Sequence, residues 1–180
     1  MLSFFVAYVI INILGGKLEM KVKNGYLYHI KNEFFDLVND KNLMTNHEKG
    51  RTRPTYFTIK IENILWFIPL STKVEKYKKI IDNKIKRQGY CNTILIRKIF
   101  DDNSVILLQN AFPTLEKYID HVHMRNGIPA KVGTDLKKEI IKKFKNLLKL
   151  RNKGYNLFLT DVDKIENLMN KELEKEQVNV

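Results

Sequence analysis

Ser71, Thr72 and Lys73 follow the apolar run Trp66-Phe67-Ile68-Pro69-Leu70, and Arg53-Pro54 opens the run before it. Both runs read as strands joined at Glu62-Asn63, so two hydroxyls, an ammonium and a guanidinium gather at the open end of a hairpin. A basic helical pattern begins directly afterwards, and a helix N-terminus offers N–H groups and a partial positive charge. Such a convergence suits a phosphate. Read singly, the same residues have plain structural roles: Ser71 and Thr72 as a helix cap, Arg53 as a solvated loop cation.

Proton-exchanging groups are few. His29 and His121 are the candidates near neutral pH. His121 and His123 form an H-x-H pair whose rings share one face of a strand, but zinc needs three or four ligands and no third stands out in sequence. No metal site is expected. Cys91 is the single cysteine, so no internal disulfide can form, and a small buried thiol is its ordinary role. Tyr26 and Tyr28 share a strand-like run, where packing is the plain alternative to stacking on bases.

The chain has 180 residues, 44% of them hydrophobic, with a formal net charge of +12. One domain with its own core is expected. The excess charge favours a polyanion, either nucleic acid or an acidic membrane surface, and the aromatic content favours nucleic acid. A general enrichment in Lys is the plain alternative. Tyr28, Lys60, Lys76, Lys79 and His121 are the candidate contacts to the polyanion. Residues 1–19 hold a nearly unbroken apolar run from Leu2 to Leu14, short for a bilayer span and without signal-peptide flanks. They read as an upstream extension, with translation starting at Met20 and the domain occupying 20–180; a membrane tether is the alternative.

The elements that must position these groups follow from periodicity. Strands are expected at Gly25–Ile30, Tyr56–Ile61, Ile64–Leu70, Asn92–Phe100 and Val105–Gln109. Asn32 is expected to cap a short helix through Asn39, and 40–53 to form a loop. Thr72-x-x-Glu75 matches a capping box for a helix to about Arg87, with Val74, Tyr77, Ile81 and Ile85 as its stripe. Asp101 to Ser104 reads as a turn, Glu116 to His121 as a possible helix, and Asn126-Gly127 as a hairpin turn. Thr134 and Thr160 open the last two helices. Strands early and helices late make the class α+β.

With the motifs in place, their order resembles the ToxN/AbiQ superfamily, the endoribonuclease toxins of type III toxin–antitoxin systems. The motifs are Tyr26-Leu27-Tyr28-His29-Ile30, Arg53-Pro54-Thr55-Tyr56-Phe57-Thr58, Trp66 to Ser71, Leu108-Gln109-Asn110-Ala111-Phe112-Pro113 and Phe158-Leu159-Thr160-Asp161. The likeness is closer to the CptIN-type toxins and spans residue 20 to the C-terminal helix. It implies a compact, strongly twisted antiparallel sheet with flanking helices, similar to MazF/Kid toxins. It also implies cytoplasmic RNA cleavage in phage defence without metal or cofactor, and inhibition by a small repeated antitoxin RNA of pseudoknot type in a toxin–RNA hetero-oligomer. The family's catalytic hydroxyls fall on Ser71 and Thr72, its cation on or beside Arg53, and its following lysine near Lys73, slightly out of the ToxN register.

RNA brings its own nucleophile, the 2′-OH. The protein need only align it, remove its proton, steady the phosphate charge and protonate the leaving 5′-oxygen. On this reading Ser71 and Thr72 grip the phosphate, Arg53 adds charge-assisted bonds, and Lys73 is a candidate proton donor; the base stays open between His29 and His121. A non-catalytic RNA- or DNA-binding protein and a membrane-tethered basic domain are the other two readings.

Overall fold

The computed structural model describes residues 22–43, 47–48, 51–52, 56–61 and 64–178. Residues 1–19, the expected start at Met20, and Arg53 lie outside the described residues. In chain order the elements are β1 (Leu27–Ile30), α1 (Asn32–Val38), β2 (His47–Glu48), β3 (Arg51–Thr52), β4 (Tyr56–Ile61), β5 (Ile64–Ser71), α2 (Val74–Gln88), β6 (Ile94–Ile99), β7 (Asp102–Leu107), β8 (Phe112–Thr114), β9 (Ile119–Val122), β10 (Met124–Arg125), β11 (Ile128–Pro129), α3 (Thr134–Arg151) and α4 (Val162–Val178). The class is α+β, as expected.

The main sheet runs β6-β7-β5-β4-β1-β9, with β8 added on β5. Its pairings are antiparallel. One flank of β5 is shared: Leu65 to Phe67 face β8, and Leu70 and Ser71 face β7. The period-2 alternation of β4 and β5 then sorts side chains between two cores. Leu27, Phe57, Ile59, Trp66 and Ile68 meet Ile140, Phe144 and Leu147 of α3. Tyr28, Ile30, Tyr56, Leu65 and Phe67 meet Phe34 and Val38 of α1 and Ile165 and Met169 of α4. Apolar on both faces, the central strands read in sequence as continuous hydrophobic runs.

Helix α2 lies on the same side as α1 and α4, over Ile94, Val105 and Leu107. Val74, Tyr77, Ile80 and Ile81 pack there, whereas Ile85, expected in the stripe, is 45% exposed. None of its residues is fully buried. A polar tie completes the docking: the Lys84 ammonium donates to Thr93 Oγ1 at 2.9 Å and Gln109 Oε1 at 2.6 Å.

Several boundaries differ from those the sequence predicts. Helix α2 starts at Val74 with Lys73 as its N-cap and no side-chain cap bond, so the Thr72 capping box does not form. Asn32 and Thr134 are first helical residues rather than caps. The final helix starts after Asp161, whose Oδ1 accepts the Lys164 N–H at 3.1 Å and caps it. The expected loop 40–53 contains the β2–β3 ribbon. Strand β7 starts at Asp102 because the turn sits earlier, at Phe100, with φ of 59°. Glu116 to Tyr118 is one 3-10 turn, after which the chain enters β9. The Asn126-Gly127 turn is present, with φ of 51° and 75° at its two residues, as a type I′ hairpin needs.

Candidate active site

Strand order brings several of the predicted groups, Ser71 and Thr72 among them, to one end of the sheet. Tyr28, Tyr56 and Pro69 form one row across β1, β4 and β5. Since β1 and β5 are each antiparallel to β4, they run the same way, and their C-terminal residues Ile30 and Ser71 lie at the same end. Strand β4 begins there, at Tyr56. At about 4.8 Å per strand, β1 and β5 are about 10 Å apart.

Ser71 ends β5, half-buried, opposite Val105. Its Oγ accepts the Lys73 N–H at 3.2 Å, which ties the strand end to the start of α2. An Oγ that accepts one hydrogen bond still has its own hydrogen to donate. Thr72 and Lys73 are exposed beside it. Lys76 and Lys79 are exposed on the first turns of α2, three residues apart and so on one face. Glu75 is drawn to Lys78 at 2.6 Å. Ser71, Thr72, Lys73, Lys76 and Lys79 therefore form one continuous surface.

Tyr28 and Lys60 do not join it. Tyr28 is 3% exposed, with its ring edge-on to Phe67 and its hydroxyl accepting the Lys23 N–H at 3.0 Å. Burial pushes its pKa up. As a core side chain it offers no face to a base, and its expected RNA contact is withdrawn. Lys60 pairs across the sheet with Leu65 and ion-pairs with Glu116 at 3.2 Å. Six residues along β5 separate Leu65 from Ser71, about 20 Å at strand rise.

Beyond the sequence reading, the structure shows a histidine cluster at the same end. The register shifts between Tyr28↔Val122 and Ile30↔Ile119, leaving Asp120 and His121 together opposite His29. This is a β-bulge, a device that re-aims side chains. His121 stacks on His29 with ring centroids 4.2 Å apart and planes 15° apart. His29 Nε2 and His123 Nδ1 share a hydrogen bond of 3.1 Å. The carboxylate of Asp120 lies 2.9 Å from His121 Nδ1. A carboxylate only accepts, so Nδ1 carries the hydrogen and Nε2 the lone pair. Burial, then the charges of His121 and His123, lowers the His29 pKa to about 4. Burial first, then His121, lowers that of His123. Among the described residues, no group of three or more His, Cys, Asp or Glu side chains is placed to hold a metal ion.

Alternation puts His29 on the α3 side with Leu27, and Ser71 on the α2 side with Val105. The two clusters therefore flank the start of β4 from opposite sides of one sheet end. The H-x-H spacing signalled that His121 and His123 act together. Their link to His29 crosses 94 residues and depends on the β1–β9 pairing, which no local pattern announces.

No family model and no curated protein matches the chain. Solved structures do match its fold. One comes from work on bacterial type III toxin–antitoxin systems, in which a non-coding RNA pseudoknot selectively inhibits the toxin; the TM-score is 0.59 at 17% identity. Another is AbiQ, a lactococcal anti-phage endoribonuclease of the type III toxin–antitoxin class, with a TM-score of 0.62 at 11% identity. Each match covers 84% of this chain and 99% of the other. Among the described residues no helix is long and apolar enough to cross a membrane. The chain is built on the fold of these type III toxin–antitoxin structures.

Proposed function

We propose that the chain is a metal-independent endoribonuclease toxin of the type III class, held by a small repeated antitoxin RNA. The observation that carries the reading is Ser71: a hydroxyl fixed at a strand end by the Lys73 N–H, beside the exposed cations of α2. The fold shared with AbiQ and the net charge of +12 support it. A CptIN-type kinship, a MazF/Kid-like twist and a cytoplasmic setting belong to the same proposal.

In this reading the scissile phosphate sits against Ser71 and Thr72. Their hydroxyls donate to the non-bridging oxygens, while Lys73 and Arg53 offset the charge that builds as the 2′-oxygen attacks. The P–O5′ bond breaks as the 2′-O–P bond forms, leaving a 2′,3′-cyclic phosphate and a 5′-hydroxyl. Lys76 and Lys79 extend the cationic track along the RNA.

The test is Ser71→Ala, assayed on total RNA and for growth arrest. Loss of one such donor lowers the rate about 100-fold or more. Stability changes by about 1 kcal/mol at most, for the one turn hydrogen bond lost. A variant that folds and cleaves like the parent places the phosphate elsewhere. A wild-type protein that binds RNA tightly and never cleaves it marks a non-catalytic RNA-binding protein.

A further inference from the structure

We propose that the outer face of α3 is a second RNA-binding surface, which holds the phosphate backbone of a structured RNA on the side of the sheet away from Ser71. This rests on the RNA-binding part of the reading above and not on cleavage. Three features of α3 carry it.

The first is a stripe of lysines. Lys138, Lys142, Lys145 and Lys149 are all exposed. Their spacing of four, three and four residues returns each to the same face, within about 60° around the helix axis. At about 1.5 Å of rise per residue the stripe is about 17 Å long. Ile140, Phe144 and Leu147 are buried on the opposite face, so the stripe points away from the sheet. Like charges three and four residues apart weaken a helix. Among the described residues none of the four lysines has an ion-pair partner: Glu139 is held by Arg97 at 2.6 Å, and Asp135 stands in the first turn, before the stripe. A polyanion laid along the stripe removes that repulsion. The second feature is a cleft between α3 and the start of β6. Its volume is about 390 Å³, and its polar lining is Asn92, Lys143, Asn146, Lys149 and Lys153. It shares Lys149 with the stripe, so a phosphate strand leaving the stripe meets ammonium and carboxamide donors on a concave surface.

The third feature is what this face leaves out. The one aromatic residue of α3, Phe144, is fully buried, so no ring of the helix is free to stack on an unpaired base. A splayed single strand is therefore the poorer fit, and a helical backbone met through its phosphates the better one. A membrane surface needs an apolar helix face to insert. That face of α3 is already occupied: Ile140, Phe144 and Leu147 lie in the core, with Leu136, Ile141 and Leu148 packed around them. Helix α3 covers one side of the sheet and α2 the other. Ser71 belongs to the α2 side, so RNA held on α3 leaves the proposed phosphate site open. Lys76 and Lys79 lead RNA toward Ser71, whereas the α3 stripe grips RNA that is not being cleaved.

The experiment measures binding of a short RNA duplex with 2′-O-methyl riboses, which has no 2′-OH nucleophile and stays intact, over a range of salt. Wild type is compared with a quadruple variant carrying Lys138→Ala, Lys142→Ala, Lys145→Ala and Lys149→Ala. A charge-matched control carries Lys41→Ala, Lys98→Ala, Lys131→Ala and Lys171→Ala, four exposed lysines off the stripe. Alanine favours a helix, so the α3 variant should melt no lower than wild type. It should lose more than about tenfold in affinity at low salt, and about three to four units of the slope of log K against log salt. The control should lose about one unit or less. Single-turnover cleavage of a short single-stranded RNA at saturation should stay within about threefold of wild type in the α3 variant, while Ser71→Ala lowers it. The inference is overturned if wild type does not bind the duplex, if the α3 variant keeps the wild-type slope, or if the control loses as much. A fall in cleavage rate matching that of Ser71→Ala also overturns it, as does stripe-dependent binding to anionic phospholipid vesicles with duplex affinity unchanged. If wild type cleaves no RNA while the α3 variant still loses duplex binding, the cleavage reading fails and this surface stands.

Discussion

His29 is held in its neutral form by its burial and then by its neighbours, and that has a cost in acid. Its pKa is about 4 in the fold against 6.5 for an ordinary imidazole. Between those values the unfolded chain binds the proton more readily, so stability rises with pH across the window. The contribution is fully present above pH 6.5 and is lost as pH falls toward 4. Discounted for the partial exposure of the ring, it is worth about 1–2 kcal/mol. Urea unfolding at pH 7 and pH 4.5 should show this loss in wild type and a smaller one in His29→Gln. Equal losses in the two proteins would mean that other groups govern the acid sensitivity.

At the scale of elements, α2 joins the proposed phosphate site to the sheet, yet its apolar stripe is only partly buried. Lys84 supplies much of its anchoring through Thr93 and Gln109, which are themselves bonded at 2.9 Å. Lys84→Ala is expected to cost about 1–3 kcal/mol, since it removes a charged donor from two buried acceptors. A double-mutant cycle with Gln109→Ala should show coupling; additive losses would assign the cost to the lysine stem instead. The stretch Leu108 to Pro113 gains its meaning here as well. Its Gln109 carbonyl accepts the Leu159 N–H and its Ala111 carbonyl accepts the Thr160 hydroxyl, binding two of the sequence motifs together.

Legibility followed the same line. Strands β4 and β5 were readable to within a residue because their apolar runs are bounded by Pro54, Glu62-Asn63 and Ser71. The helix starts at Thr72, Asn32 and Thr160 were misplaced because all three rest on cap chemistry, which tertiary contacts redistribute. At Ser71 the strand reaches one residue further and the hydroxyl bonds the Lys73 N–H in the turn. At Asp161 the side chain caps the helix while its N–H donates to Asp40, 121 residues away. The aromatic content makes Tyr28 a candidate to stack on bases, but its side of β1 is covered by α1 and α4. Of the candidate site, the hydroxyls and α2 lysines were visible locally, and the histidine cluster was not, since it depends on a long-range strand pairing.

The whole molecule carries a net charge of +12, and Lys76 and Lys79 of α2 are exposed. RNA binding should therefore weaken steeply with salt, because each neutralised phosphate releases counterion. Lys76→Ala and Lys79→Ala should each flatten the slope of log K against log salt by about 0.7 on single-stranded RNA. Slopes unchanged in both would move the RNA path off α2. The central claim, that the sheet end cleaves RNA by internal 2′-OH attack without metal, is tested most directly by the chemistry of the product ends. Purified protein and RNA are incubated in excess chelator, and the fragments are examined for their termini. The account predicts cleavage that persists, with 2′,3′-cyclic phosphate and 5′-hydroxyl ends. Cleavage abolished by chelator and restored by magnesium, or fragments bearing 5′-phosphates, would contradict it.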